Sequence, residues 1–286
     1  MKKNTQKRSW WRRSGDKLPL IKSIFYISLS VFFISGSAAT ALLFYKEQNK
    51  QKQKDPKYTI VAIVQTGPDR DRLKTVFLSD LLELSIDKPQ NLYSFSLSEA
   101  KKKICKCPVV KSCNLKKISP GTLYVEYSIR KPIAYIGDFS NTAVDAEGIM
   151  IPFQPFFSPK RLPKISLGMP YYKAIDNGMP WGSHINPPEF TIFAEIISAL
   201  ERCSDLRVDH IDLSNIFMES PGKKEIIVEL SDHSKGELPI TLRLNAQKFL
   251  HSIEAFFTMR SQLTVGYSIV DLRMQPIGLI SSFPDS

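Results

Sequence analysis

Histidine and cysteine are scarce, four of each in 286 residues. His184, His210, His233 and His251 lie far apart. None stands in the H-E-x-x-H spacing that puts two zinc ligands on one helix face. The sequence has no G-x-S-x-G nucleophile elbow, no complete phosphate-binding loop and no G-x-G-x-x-G dinucleotide fingerprint. Gly222-Lys223-Lys224, after Pro221, lacks the rest of a phosphate loop and reads as a hairpin turn. Asp209, His210 and Asp212 in "RVDHIDL" invite an acid–base reading. Strand alternation, however, puts His210 on one face and both aspartates on the other, so they cannot form a triad. These absences leave no catalytic residue, no cofactor-binding residue and no metal ligand to nominate. The chain is expected to be no enzyme and to act by binding.

Positive charge is missing where a nucleic-acid-binding fold would need it. The formal net charge is +11, but residues 1–22 carry +7 of it and residues 46–57 another +3, leaving +1 for everything that follows. A nucleic-acid-binding domain carries its basic charge on the fold itself, so that class is excluded. At 43% hydrophobic residues the remainder can bury a core.

Charge is wholly absent from "SIFYISLSVFFISGSAATALLFY", Ser23 to Tyr45. Its 23 residues exceed the roughly 20 that cross a bilayer as a helix. Lys2, Lys3, Lys7, Arg8, Arg12, Arg13, Lys17 and Lys22 precede it, which predicts a cytoplasmic N-terminus. Tyr26 and Tyr45 suit the two interfaces. A cleaved signal peptide is the rival reading, because Ser35-Gly36-Ser37-Ala38-Ala39 resembles a cleavage site. The run continues apolar through Phe44, which favours an uncleaved anchor. Either way, residues 46–286 are expected outside the cytoplasm.

Disulfides are permitted there. Cys105, Cys107 and Cys113 are candidates for one disulfide closing the 105–113 region, with free structural thiols as the alternative. Metal ligation lacks the paired spacing and the fourth ligand of a structural zinc site. Cys203 falls on an expected helix face, toward a core.

The expected order of parts is a basic tail at 1–22, a transmembrane helix at 23–45, a polar linker at 46–57, a first folded unit at 58–130 and a β-rich second unit at 131–286. The first unit reads β-α-α-β-β. "YTIVAIV" is a strand, and Leu73 to Leu84 has helical spacing. Ser96-x-x-Glu99 is a capping box opening a second helix. "VVKSCNLKKI" and "GTLYVEYSI" are then strands, the second placing Leu123, Val125, Tyr127 and Ile129 on one face. The second unit predicts short strands at 133–136, 142–144 and 149–151, with Asp145 to Gly148 as a turn. A proline-rich stretch with one strand near 162–167 follows, then a helix carrying Ile192 to Cys203. Strands "RVDHIDL", "EIIVEL" and "PITLRL", a helix from Phe249 to Phe257 and one long strand, "YSIVDLRMQPIGLI", complete it. Pro276 inside that last run marks an edge strand. An open edge recruits a partner strand through main-chain hydrogen bonds.

The order of parts resembles the FtsQ/DivIB bacterial cell-division family, and three motifs carry the resemblance. "PVVKSCNLKKISPGTLYVEY" looks like the family's run from the second helix through two strands. "RKPIAYI" with "AVDAEGIMI" resembles its Arg-x-Pro-x-Ala and Val-Asp-x-x-Gly signatures, here Arg130, Pro132, Ala134, Val144, Asp145 and Gly148. "IVDLR", Ile269 to Arg273, resembles its late strand. Departures are Ile129 where a Glu is usual, Met274 where an aromatic is frequent, and the cysteine cluster.

The resemblance implies an α+β protein with a single transmembrane helix. A POTRA domain would cover 58–130, and a mixed β domain with two helices 131–286. It implies a bitopic, non-enzymatic divisome scaffold in the bacterial inner membrane at the septum, with both domains periplasmic. It implies FtsB/DivIC-like and FtsL-like single-span partners and, through them, the septal peptidoglycan synthases; no cofactor and no nucleic acid enter. Family pairing of the last strand with an FtsB-type partner maps here to Arg273, Met274, Gln275, Ile277, Gly278, Leu279 and Ile280. Arg130, Lys131 and Pro132 become a domain seam. A POTRA-bearing secretion or envelope-assembly component is the alternative function. An envelope hydrolase is a third, tested by activity on cell-wall fragments.

Overall fold

The uncharged run is helical from end to end. In a computed structural model that describes residues 17–168, 180–235, 238–260, 267–274 and 277–282, helix α1 spans Lys17–Lys54. Among the described residues it is the one helix long and apolar enough to cross a membrane. Its large apolar side chains, from Ile24 to Tyr45, are exposed on every side. Burying them needs an apolar solvent, which a bilayer supplies. Three serine hydroxyls in this run bond within the helix: Ser30, Ser35 and Ser37 donate to the carbonyls of Ile27, Phe32 and Ile34 at 2.8, 3.1 and 2.9 Å. Such bonds remove the cost of carrying a polar group into lipid.

The helix does not stop where the apolar run does. Residues 46–54, expected as a linker, continue it to Lys54. Lysine, glutamine and glutamate are good helix formers, and the first breaker is Pro56. Pro56 opens a 3-10 turn, Pro56–Tyr58, whose cap Asp55 accepts from the Lys57 amide at 2.9 Å. Asn91 then fastens the helix end, donating to the carbonyls of Lys52 at 2.9 Å and Asp55 at 3.1 Å. Tyr58 and Tyr93 meet edge to face at 4.9 Å, and the Lys52 ammonium lies 5.3 Å from the Tyr93 ring centre. The chain divides into two units. The first ends at Ala62 and takes in Lys88–Phe95 and Lys117–Thr122; the second holds the rest.

Helices α2 (Thr75–Leu81) and α3 (Leu97–Cys105), both of the second unit, accompany a three-stranded sheet of β1 (Ala62–Thr66), β2 (Val110–Ile118) and β3 (Thr122–Ile129), in the order β1-β3-β2, whose residues belong to that unit except Ala62, Lys117, Ile118 and Thr122. The chain order is the expected β-α-α-β-β. Leu78 from α2, Ala100 and Ile104 from α3, and Leu123, Val125 and Tyr127 from β3 are buried together with Val109 and Leu115. Ser96 caps α3, accepting from the Glu99 amide at 3.4 Å. Helix α2 is shorter than its apolar spacing suggests, because Glu83 takes a left-handed φ of +54° and turns the chain away. The expected first strand loses its start as well: Tyr58 belongs to the 3-10 turn, and Thr59 makes only an isolated bridge with Asn91.

The remaining strands form one nine-stranded sheet. They are β4 (Pro132–Ile136), β5 (Thr142–Asp145), β6 (Met150–Pro152), β7 (Lys164–Ser166), β8 (Leu206–Asp212), β9 (Glu225–Asp232), β10 (Leu238–Asn245), β11 (Tyr267–Leu272) and β12 (Leu279–Ser282). Their order is β12-β11-β10-β9-β8-β7-β4-β5-β6. Three pairings are parallel, β4 with β7, β7 with β8 and β10 with β11; the others are antiparallel. Helices α4 (Pro187–Leu200) and α5 (Phe249–Arg260) pack on this sheet, with Phe193 and Phe256 fully buried. Helix α4 starts earlier than its apolar spacing suggests, with proline in its first turn where a missing amide costs nothing. It ends at Leu200, so Cys203 lies beyond it, half-buried, accepting from the Arg260 guanidinium at 2.7 Å. The α+β class and the single apolar helix stand as expected from the sequence.

Candidate partner-binding edge

The two ends of the nine-stranded sheet differ in what their outer main-chain groups do. At the β6 end, the Met150 amide donates to the Ser183 carbonyl at 2.9 Å, and the Gly182 amide donates to the Met150 carbonyl at 2.8 Å. Ile149 also bridges His184. That edge is covered. At the other end, β12 pairs with β11 through Val270↔Ile280 and Asp271↔Leu279, and no described strand pairs with its outer side.

The sequence predicts one long strand here. Instead the chain folds back between Arg273 and Gly278 and returns antiparallel, with the Ile277 amide donating to the Met274 carbonyl at 2.9 Å. Gly278 permits the close approach: a Cβ there would lie 3.1 Å from Leu272 Cδ2 and 3.3 Å from Met259 Cε. The return strand lies at the margin and carries an apolar load. Ile277 and Leu279 are 66% and 63% exposed, with Met274, Ile280 and Ile269 exposed beside them. Exposed apolar side chains beside an unpaired strand edge make this margin the candidate for partner binding. Gln275 lies outside the described residues.

Arg273 has a different place from its neighbours. Its guanidinium donates to Asp271 Oδ1 at 2.9 Å and Oδ2 at 2.7 Å, and lies 3.2 Å from Glu225. Arg243 joins the group, 2.7 Å from Glu225 and 3.5 Å from Asp271. The Asn245 amide donates to the Arg273 carbonyl at 3.1 Å. Burial opposes the Asp271 charge, but the bonds from Arg273 outweigh it and hold the carboxyl below its ordinary value. Asp271 in turn raises Arg273. Arg273 therefore ties β9, β10 and β11 together at the root of the hairpin, while Met274, Ile277, Leu279 and Ile280 are exposed.

The seam residues meet a second ion group. Strand β3 ends at Ile129 and β4 begins at Pro132, so two residues carry the chain from one sheet to the other. Arg130 donates to Asp145 Oδ2 and Glu147 Oε2, both at 2.6 Å, and Lys111 lies 2.7 Å from Glu147. Asp145 Oδ1 accepts from the Glu147 and Ile149 amides at 2.9 and 2.8 Å, shaping the turn that Gly148 completes at φ +78°. Lys131 is exposed and Pro132 buried. A second tie is the Asp71 carboxylate, which accepts from the Ser158 amide at 2.9 Å and from Lys160 Nζ at 2.7 Å.

The acid–base candidates are engaged elsewhere. His210 meets Ser166 at 2.9 Å and Glu229 at 3.4 Å. Asp209 takes the Arg207 guanidinium at 2.8 Å, and Asp212 accepts from the Ser214 amide at 2.8 Å. Cys105 and Cys113 come together with sulfurs 3.0 Å apart, while Cys107 is buried in the turn after α3.

No family model matches the chain. It is similar to the cell division protein FtsQ of Koribacter versatilis (strain Ellin345), 23% identical over 252 residues. That match covers 86% of this chain and 65% of the relative, so the chain spans about two thirds of that protein's length. The resemblance to the FtsQ/DivIB family thus extends well beyond the three motifs that first carried it.

Proposed function

We propose that this chain is a membrane-anchored, non-enzymatic scaffold of the bacterial division machinery that accepts a strand from a small single-span partner at β12. The observation that carries the reading is the open β12 edge, with Ile277 and Leu279 more than half exposed. Such an edge gives affinity through main-chain hydrogen bonds and specificity through alternate side chains. The similarity to an FtsQ supports the setting.

In this reading α1 is a single-pass anchor in the inner membrane. Its basic N-terminal flank stays in the cytoplasm and the domains lie in the periplasm at the septum. Residues 58–130 form a POTRA domain and 131–286 a β domain. The partners are FtsB/DivIC-like and FtsL-like proteins, which connect the scaffold to septal peptidoglycan synthases. The Asp271–Arg273 ion group sets the hairpin from which the accepting strand is presented.

Co-purification of the full chain with its FtsB- and FtsL-like partners tests the reading. Ile277→Asp and Leu279→Pro are expected to abolish capture while leaving the unfolding transition of the chain in place. Unchanged capture by both variants overturns the site.

A further inference from the structure

Cys105 closes α3 and Cys113 lies in β2, and their sulfurs stand 3.0 Å apart. A disulfide holds its sulfurs at about 2.05 Å, so roughly one ångström of side-chain approach would join them. Cys105 is exposed and open to reagents, whereas Cys113 is buried against the helix, its thiol donating to the Lys101 carbonyl at 3.6 Å. Cys107 is buried one residue past Lys106, and its sulfur is held by the Val109 and Val110 amides. Cys203 belongs to the nine-stranded layer, on Arg260. Of three pairings open within the cluster, one brings its sulfurs together.

We propose that Cys105 and Cys113 are oxidised to a disulfide in the exported protein, stapling the last turn of α3 to β2 and leaving Cys107 and Cys203 as thiols. The proposal rests on the reading that residues after the anchor lie outside the cytoplasm, where disulfides persist. The oxidant is a disulfide donor of that compartment, a small-molecule or protein disulfide. The exposed Cys105 thiolate attacks one donor sulfur, forming a mixed disulfide and releasing the first donor thiol. Cys113 then attacks Cys105 Sγ. The bond to the donor breaks, and the departing donor sulfur takes up the Cys113 proton. Two thiols of the chain become one S–S bond, and one donor disulfide becomes two thiols. Burial and the neighbouring Cys105 push the Cys113 thiol up to about 12, which agrees with the attack starting at Cys105.

The sequence makes the pairing readable. Cleavage after Lys103, Lys106, Lys111 and Lys116 separates the cysteines onto three peptides, Ile104–Lys106, Cys107–Lys111 and Ser112–Lys116. Full-length chain is taken from cells quenched with an alkylating reagent, and a second sample is purified reduced and then exposed to oxidised glutathione. The expected result in both is Ile104–Lys106 linked to Ser112–Lys116, with Cys107 and Cys203 alkylated before reduction. A link to the Cys107–Lys111 peptide, or no link with glutathione, overturns the pairing while leaving the export reading intact. A correct link with glutathione but full alkylation in cells overturns the export reading and, with it, the bond in the cell. Cys105→Ser supplies a second readout: the wild-type melting temperature should fall on adding reductant, and that of the variant should not. Equal sensitivity to reductant in both overturns the proposal.

Discussion

The Arg130 guanidinium donates to Asp145 at 2.6 Å with 14% of its side chain exposed, and the aspartate side chain is only 5% exposed. One partner sits just past the end of β3 and the other at the end of β5. Two short sequence signatures that look independent are thus two halves of one ion pair. Burial opposes the Arg130 charge, but its bonds to Asp145 and Glu147 win and raise its pKa.

Arg130→Met should destabilise the chain by about 3–5 kcal/mol, because it leaves a carboxylate buried without its cation. Adding Asp145→Asn should recover part of the loss, since the amide keeps an acceptor for the turn and removes the stranded charge. Denaturant unfolding of the two single variants and the double variant measures the coupling. Strict additivity would sink the pairing.

Glu147 gives a pH dependence of definite sign. Its hydrogen bonds, first with Lys111 and then with Arg130, lower its pKa from 4.5 to about 2. A carboxylate whose folded value is depressed contributes stability that is complete above its unfolded value and lost as pH falls through the folded one. The contribution should therefore fade between about 4.5 and 2. Melting curves of wild type and Glu147→Gln should converge across that window on acidification. Curves that stay parallel throughout would contradict it.

Asn91 should decide how firmly the end of α1 is held. Asn91→Ala removes a side-chain donor to both the Lys52 and the Asp55 carbonyl. Faster tryptic cleavage after Lys50, Lys52, Lys54 and Lys57 is the expected outcome in limited proteolysis of the full chain. An unchanged cleavage rate would show that the Tyr58–Tyr93 contact suffices alone.

Gly121 should tolerate no side chain. A Cβ there would run into the Thr59 carbonyl oxygen, and the Gly121 carbonyl itself accepts from the Val61 amide at 2.9 Å. The clashing group is main chain, so no rotamer change relieves the overlap. Gly121→Ala should cost about 1–3 kcal/mol, the usual penalty of forced overpacking, read from the shift in unfolding midpoint.

Strands were legible wherever alternation had a buried face to report. Leu123, Val125 and Tyr127 point inward as their spacing dictates, and Ser96 caps the helix its motif announces. The misreadings came where local pattern and tertiary context part company. "YSIVDLRMQPIGLI" reads as one strand because Ile277 to Ile280 is apolar. Arg273, at the end of β11, is anchored on Asp271 two residues back and on Glu225 of β9, and the second contact is one no local spacing encodes. The polar stretch after the anchor reads as a linker because it lacks periodicity. Propensity alone carries it helically to the first proline. Arg130 and Asp145 are visible as motif residues, but their contact spans fifteen positions and belongs to the fold.

A sheet with one end sealed and the other open has a directional valence. The segment at Gly182–His184 uses up the main-chain groups beside β6, so a second copy of the chain cannot stack head to tail by offering β12 to that side. Head-to-tail growth needs two complementary free margins, and the described residues offer one. On the proposed reading β12 is the margin that takes a strand from outside, and a closed two-fold pairing of β12 with its copy would compete with the guest for the same bonds.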